Sequence, residues 1–227
     1  TEMTKCIMQV GGHVVKFEGD AVMAFWGAFS PLESEDYIKL CESALAQQNK
    51  LTELNHSWKE LFWTELHVRM WLHAGSAIVG NIGAIGQKME FTALWDNVNL
   101  ASRLEGVNKH YGTYICVSEE VYQMTKEYYF YRFLDEIQVV GKEMSVKIYE
   151  LLEKKEQISQ ELQERVEQFE QAREYYIQKK FLEAKETFQK LSLAWDAPSK
   201  TYLERCENFL ITPPQEDWDG VWRMMEK

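Results

Sequence analysis

The segment Gly11-Gly12-His13-Val14-Val15-Lys16-Phe17-Glu18-Gly19-Asp20-Ala21-Val22-Met23-Ala24-Phe25-Trp26-Gly27 contains two runs of β-branched and aromatic residues, separated by a Glu-Gly-Asp turn. This composition predicts strands over residues 13–17 and 21–26 that form a short hairpin. Asp20 then lies at an exposed corner, with Lys16 one strand step behind it. Taken alone, the pattern fits an ordinary surface hairpin, because a single Gly-Asp pair is a weak signal.

A second segment is Met89-Glu90-Phe91-Thr92-Ala93-Leu94-Trp95-Asp96-Asn97-Val98-Asn99-Leu100-Ala101-Ser102-Arg103-Leu104-Glu105-Gly106, and it predicts a strand that leads into a helix. Asp96 is predicted as the N-cap, the residue just before the helix, because its carboxylate can accept hydrogen bonds from the free amides of the first turn. Asn99 and Arg103 are four residues apart and share one helix face. An amide and a guanidinium near a helix start suit a phosphate, although each alone is more often a capping residue or a surface charge.

Together the two segments resemble the class III nucleotidyl cyclases of the bacterial adenylate cyclase type. The resemblance continues through residues 67–83 and through the segment Val-Val-Gly-Lys-Glu-Met-Ser-Val-Lys-Ile-Tyr-Glu-Leu at 139–151, so that it covers residues 1–152. Four motifs in order are far more specific than any one of them. The resemblance implies an α/β (α+β) fold with a ferredoxin-like sheet and flanking helices.

The resemblance also implies a role for each site residue. Asp20 is one of two metal-binding carboxylates for two ions, Mg²⁺ or Mn²⁺, and the other carboxylate lies outside this chain. Lys16 and Thr92 read adenine, while Asn99 and Arg103 stabilise the ribose and the phosphate. Because lysine only donates, it suits the acceptor nitrogen of adenine, and guanylate cyclases of the family carry glutamate there. The implied reaction converts ATP to 3′,5′-cyclic AMP and pyrophosphate at a homodimer interface.

Members of the family have an earlier strand and helix, with an Asp-Ile-x-x-Phe type segment that supplies the second metal carboxylate. Residues 1–227 contain no such segment. We therefore expect the chain to be an N-terminally truncated fragment of a longer protein, which by itself cannot cyclise ATP efficiently.

Three further positions depart from the family pattern. Trp71 and Trp95 stand where the family usually has glycine, and Val140 stands where many relatives have a phosphate-binding lysine, with Lys142 or Lys147 as substitutes. Glycine at such places often permits close approach of a backbone or a ligand. These departures favour a second hypothesis, a non-catalytic pseudocyclase with a regulatory role.

After Leu152 the composition shifts to Glu, Gln and Lys, with no glycine until Gly220. We predict a second unit over residues 153–227, a helical hairpin that resembles one tetratricopeptide repeat. Its small and aromatic positions are Ala172, Tyr175, Ala184 and Phe188. One repeat is below the ~3 that a stable array needs, so it should pack on the first unit or continue from it. A third hypothesis is a module that dimerises through the cyclase region and binds a protein partner through this unit.

The formal net charge of −11 argues against nucleic acid or an anionic membrane as a partner. The cysteines are scattered without a CxxC pair, which predicts reduced thiols and no zinc site; they are Cys6, Cys41, Cys116 and Cys206. No apolar run approaches the ~20 residues of a membrane helix. We expect a cytoplasmic region without membrane contact, and an upstream anchor in the bacterial inner membrane is compatible with this expectation.

Overall fold

The computed structural model describes residues 2–28, 30–62, 65–83, 89–94, 96–138 and 144–224. The helices in these ranges are α1 (Glu2–Gln9), α2 (Ser34–Phe62), α3 (Asp96–Tyr111), α4 (Glu119–Thr125), α5 (Gln160–Ile177), α6 (Phe181–Leu193) and α7 (Ala197–Ile211). The strands are β1 (His13–Glu18), β2 (Ala21–Phe25), β3 (Met70–Leu72), β4 (Ile78–Gly83), β5 (Met89–Leu94), β6 (Ile115–Ser118), β7 (Tyr129–Gln138), β8 (Val146–Lys154) and β9 (Trp222–Arg223). The predicted mixed α/β architecture is confirmed.

A five-stranded sheet with the order β3-β6-β8-β7-β9 forms the centre of the molecule. Strand β8 runs antiparallel to both β6 and β7, whereas β3 is parallel to β6 and β9 is parallel to β7. The pairs β1–β2 and β4–β5 are separate antiparallel hairpins. The predicted hairpin of residues 13–17 and 21–26 is present as β1 and β2.

One face of the central sheet is covered by α2 and α4. Helix α2 extends to Phe62, and no glycine or proline interrupts the chain between Ser34 and that residue. The core on this face consists mainly of aliphatic and tyrosine side chains from the sheet and the two helices. They are Cys41, Ala44, Leu72, Ala74, Ile115, Val117, Val121, Tyr129, Tyr131, Tyr149 and Leu151.

The opposite face is covered by α3 and by the helical segment α5–α7. The core on this face is built from side chains of α3, the sheet and the helical segment. They are Leu104, Val107 and Tyr111 from α3, Leu134, Ile137 and Ile148 from the sheet, and Phe169, Tyr176, Phe188 and Tyr202 from the helical segment. The helical segment therefore packs on the first unit, as expected. In this segment α5 and α6 form the predicted hairpin, and α7 follows it.

The small and aromatic positions predicted in the helical segment are largely correct. Ala172, Ala184 and Phe188 are fully buried. Tyr175, however, lies only at the edge of the core, whereas its neighbour Tyr176 is fully buried. The inward face of α5 runs through Phe169, Ala172 and Tyr176, which follows the helical spacing of three and four residues.

Arg132 forms a buried ionic bridge between the sheet and the helical segment. Its Nε donates to Glu150 Oε2 at 2.9 Å, and its Nη1 donates to Asp196 Oδ1 at 2.5 Å. The other carboxylate oxygen of Asp196 accepts from the backbone amide of Ser199 at 3.2 Å and caps the start of α7. Arg132 is 4% exposed, so the bridge is screened from water.

Arg132→Ala should destabilise the protein by about 3–5 kcal/mol, because it leaves two buried carboxylates without their cation. Chemical denaturation followed by circular dichroism measures the change. Lys50→Ala is the matched control, since Lys50 pairs with Glu53 on the exposed surface, and its unfolding midpoint should stay at the wild-type value. Equal midpoints for both variants would contradict the importance of the bridge.

Candidate functional site

The β1–β2 hairpin presents Asp20 at its tip. The register pairs His13 with Phe25 and Glu18 with Ala21, which leaves a tight turn between the strands. Gly19 has a φ of +63°, a conformation that favours glycine, while a Cβ at this position would meet nothing within 4 Å. The backbone of the turn, and not crowding, therefore requires the glycine next to Asp20.

The Asp20 carboxylate is exposed and has no hydrogen bond or ion pair within the described residues. In the same ranges, no group of three or more His, Cys, Asp or Glu side chains is arranged to hold a metal ion. Asp20 thus offers oxygen ligands to a hard cation but cannot enclose one alone. A single carboxylate suits Mg²⁺, which typically keeps several waters and binds substrate phosphates as well.

Lys16 faces the same side of the hairpin as Phe25. A β-bulge lies between Val14 and Lys16, because Val14 pairs with Ala24 and Lys16 already pairs with Met23. The extra residue brings Lys16 onto the side of Met23 and Phe25, since alternate residues of β2 share a face. The Lys16 ammonium forms an ion pair with Glu18 on the same strand, and both side chains are partly exposed.

Strand β5 lies against this side of the hairpin. The rings of Phe25 and Phe91 are 6.0 Å apart, and Thr92 follows Phe91 in β5. Thr92 is half-buried and pairs with Gly80 of β4. The structure thus brings the strand of Lys16 next to the strand of Thr92.

Helix α3 follows β5, as the sequence predicts. Asp96 is the first helical residue and not the residue before the helix, a difference within the usual variation of assigned helix ends. Asn99 and Arg103 are one helical turn apart on α3, and their side chains lie outside the described part of the structure. The structure therefore places their backbone positions in the first half of the helix.

Of the three residues that depart from the family pattern, Trp71, Trp95 and Val140, only Trp71 lies within the described part of the structure. Trp71 lies in β3, is half-buried, and packs against the core between the sheet, α3 and the helical segment. Its indole fills core space, and its buried Nε1 has no hydrogen-bond partner among the described residues. Trp95, Val140 and Lys142 lie outside those residues, whereas Lys147 is in β8.

The sequence did not predict a buried polar cluster where α3, β7 and α7 meet, which consists of Tyr111, Asp135 and Arg205. Asp135 of β7 is fully buried, and its Oδ2 accepts from Tyr111 of α3 at 2.5 Å and from Arg205 of α7 at 2.6 Å. No local pattern signals this cluster, because its members are far apart in sequence and each type is common on protein surfaces.

All four cysteines have free thiols. Burial raises the pKa of Cys41 to about 11 and that of Cys206 to about 12, which keeps both protonated and unreactive near neutral pH. Within the described ranges, no helix has the length and apolar character needed to span a membrane.

Comparison with curated proteins identifies relatives of the first two thirds of the chain. Adenylate cyclase 1 of Rhizobium meliloti (strain 1021) is 34% identical over 142 residues, which are 62% of this chain and 21% of that protein. An adenylate cyclase of Anabaena cylindrica is 30% identical over 152 residues, which are 66% of this chain and 30% of that protein. The chain thus spans less than a third of either relative.

A similar solved structure is the adenylyl cyclase CyaB from P. aeruginosa, with a TM-score of 0.62 and 30% identity over 70% of this chain and 80% of that chain. The sequence profile described as "Adenylate and Guanylate cyclase catalytic domain" matches residues 1–153. This range contains the hairpin of Asp20 and Lys16, strand β5 and helix α3. The chain therefore belongs to the family of adenylate and guanylate cyclase catalytic domains.

Proposed function

We propose that this chain is the catalytic region of an adenylate cyclase that converts ATP to 3′,5′-cyclic AMP and pyrophosphate at a homodimer interface. The observation that carries the proposal is the β1–β2 hairpin, which lies within the cyclase family match. Asp20 at its tip is exposed and makes no ion pair within the described residues, and Lys16 lies on the side of the hairpin that faces β5. The relatives at 34% and 30% identity are adenylate cyclases, which supports ATP as the substrate.

Asp20 would hold a divalent metal ion, Mg²⁺ or Mn²⁺, together with the triphosphate. Such an ion, when bound, lowers the pKa of the attacking 3′-hydroxyl and stabilises the pyrophosphate leaving group. Asp20 suits this role because its carboxylate is exposed and makes no competing contact within the described residues. Two ions, with a second carboxylate from outside residues 1–227, are our proposal for the complete site.

Lys16 and Thr92 would select the base. The Lys16 ammonium already pairs with Glu18 in an exposed contact, and contacts of this kind contribute little stability. Adenine can therefore replace Glu18 as a partner of Lys16 at low cost. Thr92 lies on the neighbouring strand, and its hydroxyl can both donate and accept.

Asn99 and Arg103 would act on the reacting groups from α3. Arg103 offers a planar fork of donors that suits the charge developing on the α-phosphoryl group, while Asn99 orients the ribose. Asn99 lies in the first turn of the helix, where the partial positive charge of the N-terminus favours phosphate, and Arg103 lies one turn further along.

We further propose that two copies share each site, with Asp20 of one subunit facing Lys16, Thr92, Asn99 and Arg103 of the other. Residues 1–152 would form the catalytic domain, and residues 153–227 a tetratricopeptide-like unit that can also bind a protein partner. A cytoplasmic location fits the four free thiols, which are typical of reducing compartments. Trp71 gives little support to the pseudocyclase alternative, because its indole packs into the core.

Asp20→Asn should lower cyclic AMP production in the full-length protein by at least ~10²-fold, the usual cost of removing one electrostatic group from a transition state. The assay measures cyclic AMP from ATP with Mg²⁺ or Mn²⁺. Asp217→Asn makes the same chemical change at an exposed position in the helical unit and should retain full activity. A wild-type protein that binds ATP but makes no cyclic AMP with either metal would support the pseudocyclase hypothesis instead.

Lys16→Glu should weaken ATP turnover and improve the relative use of GTP, because a carboxylate accepts from the guanine edge where an ammonium cannot. Competition assays with both nucleotides measure the ratio of kcat/KM values. Lys200→Glu is the charge-matched control on the exposed surface of α7. An unchanged ATP-to-GTP preference in the folded Lys16 variant would remove this residue from base recognition.

Asp20→Asn and Arg103→Ala, each inactive alone, should regain partial activity when mixed. In a mixed dimer both defects fall in one of the two shared sites, and the other site remains intact. Subunit exchange is verified with differently tagged proteins before the assay. Exchange without any recovery of activity would contradict the shared-site arrangement.

A further inference from the structure

The C-terminal end of α3 is held by the helical segment. The Thr201 hydroxyl of α7 donates to the His110 carbonyl at 2.9 Å, and carbonyls in the last turn of a helix lack intrahelical partners. Gly112 ends α3 with a φ of +68°, and a Cβ at this position would lie 2.6 Å from the Ala197 Cβ. The start of α7 therefore lies directly against the turn that ends α3.

Three buried side chains then join α3, β7 and α7, and we call them the junction: Tyr111, Asp135 and Arg205. The Tyr111 hydroxyl donates to Asp135 Oδ2 at 2.5 Å and accepts from Arg205 Nη2 at 2.9 Å. Arg205 Nη1 also donates to Asp135 Oδ2 at 2.6 Å. Burial raises the pKa of Tyr111 well above its ordinary value, so its hydroxyl stays protonated and remains a donor.

The guanidinium of Arg205 is itself fixed in place. It stacks on the Trp222 ring at 3.7 Å, and its Nη2 lies 3.2 Å from His110 Nε2. Arg205 is 3% exposed and Asp135 is fully buried. A guanidinium is planar and presents its donors in a rigid fork. The junction therefore fixes the orientation of the α3 axis as well as the distance of the helix from the sheet.

The position of this end of α3 determines the position of its other half. A helix rises about 1.5 Å per residue, so Arg103 lies about 12 Å from Tyr111 along the axis and Asn99 about 18 Å. A tilt of α3 by about 5° at the junction then moves the Arg103 backbone by about 1 Å. A misplacement of this size in a catalytic group can lower a rate by ~10²-fold.

We infer that Tyr111 and Arg205 are positioning residues for cyclisation, through which the helical segment sets the axis of α3 and hence the places of Asn99 and Arg103. This inference rests on the proposed function. It assigns a catalytic contribution to residues beyond 153, outside the part of the chain that matches the cyclase family. The helical segment contributes by holding α3, without touching the nucleotide.

The junction should affect kcat more than KM. Lys16 and Thr92, the proposed base-reading pair, lie on β1 and β5, and neither strand carries a member of the junction. Loss of the junction therefore leaves ground-state binding of the base intact and weakens contacts that matter in the transition state. A merely structural role would lower the amount of folded protein without changing kcat per folded site.

The test compares Tyr111→Phe with Tyr202→Phe in the full-length protein. Tyr202 is also fully buried, and its hydroxyl donates to the Leu134 carbonyl at 2.7 Å and accepts from Arg173 at 3.2 Å. Both variants thus lose one buried hydroxyl and keep the ring, but only Tyr111 lies on α3. Arg205→Lys is a third variant, which retains the charge and removes the fork.

We expect Tyr111→Phe and Arg205→Lys to lower kcat by ~10–100-fold with KM for ATP within about twofold of wild type. Tyr202→Phe should keep the wild-type kcat at a comparable loss of thermal stability. Each variant is first shown to be as dimeric as wild type by sedimentation. Equal kcat values for Tyr111→Phe and Tyr202→Phe would overturn the inference.

Amide hydrogen exchange provides a readout that does not depend on activity. Tyr111→Phe should accelerate exchange along α3 relative to Tyr202→Phe, because the helix end is released. If the wild type makes no cyclic AMP, the proposed function fails, and faster exchange in Tyr111→Phe still supports the coupling of the helical segment to α3. Equal protection of α3 in the two variants would overturn that coupling, whatever the activity.

Discussion

The burial of the Asp135 carboxylate constrains much of the rest of this fold. A carboxylate fully removed from water costs several kcal/mol unless cations and donors surround it. Its partners come from three helices that are distant in sequence: Tyr111 of α3, Arg173 of α5 at 3.8 Å, and Arg205 of α7. The sheet, α3 and the helical segment must therefore assemble together, since omission of any one of them leaves a buried charge poorly compensated.

The two faces of the sheet use different physical means of cohesion. The face covered by α2 and α4 is largely apolar, and its buried hydrogen bonds include the neutral contact between Thr125 and Tyr131. The face covered by α3 and the helical segment contains buried ion pairs around Asp135 and Arg132. Ion pairs between rigid elements demand one geometry, whereas aliphatic packing tolerates small shifts. Helix α3 lies on the face with the stricter geometry.

Much of the fold can be predicted from local sequence patterns, whereas the arrangement of the candidate site cannot be predicted from them. The hairpin of Asp20, the transition from β5 to α3 and the long helix α2 are each encoded by turn residues and by apolar spacing within about 30 residues. The bulge beside Lys16 determines which side of the hairpin the lysine faces, but no composition signal marks it. The pairing of Asp135 with Arg205 spans 70 residues and arises only when the helices pack.

The composition divides the chain at residue 152, but the physical boundary is less distinct. Strand β8 continues to Lys154, and one apolar core contains side chains from α3, the sheet and α5–α7. Without the helical segment, Leu134 and Ile148 would lose apolar cover, and Arg132 and Asp135 would lose charged partners on α7 or at its start. A segment that completes both the core and the ionic contacts of a domain is part of the folding unit of that domain. The helical segment α5–α7 therefore shares one hydrophobic core with α3 and the central sheet.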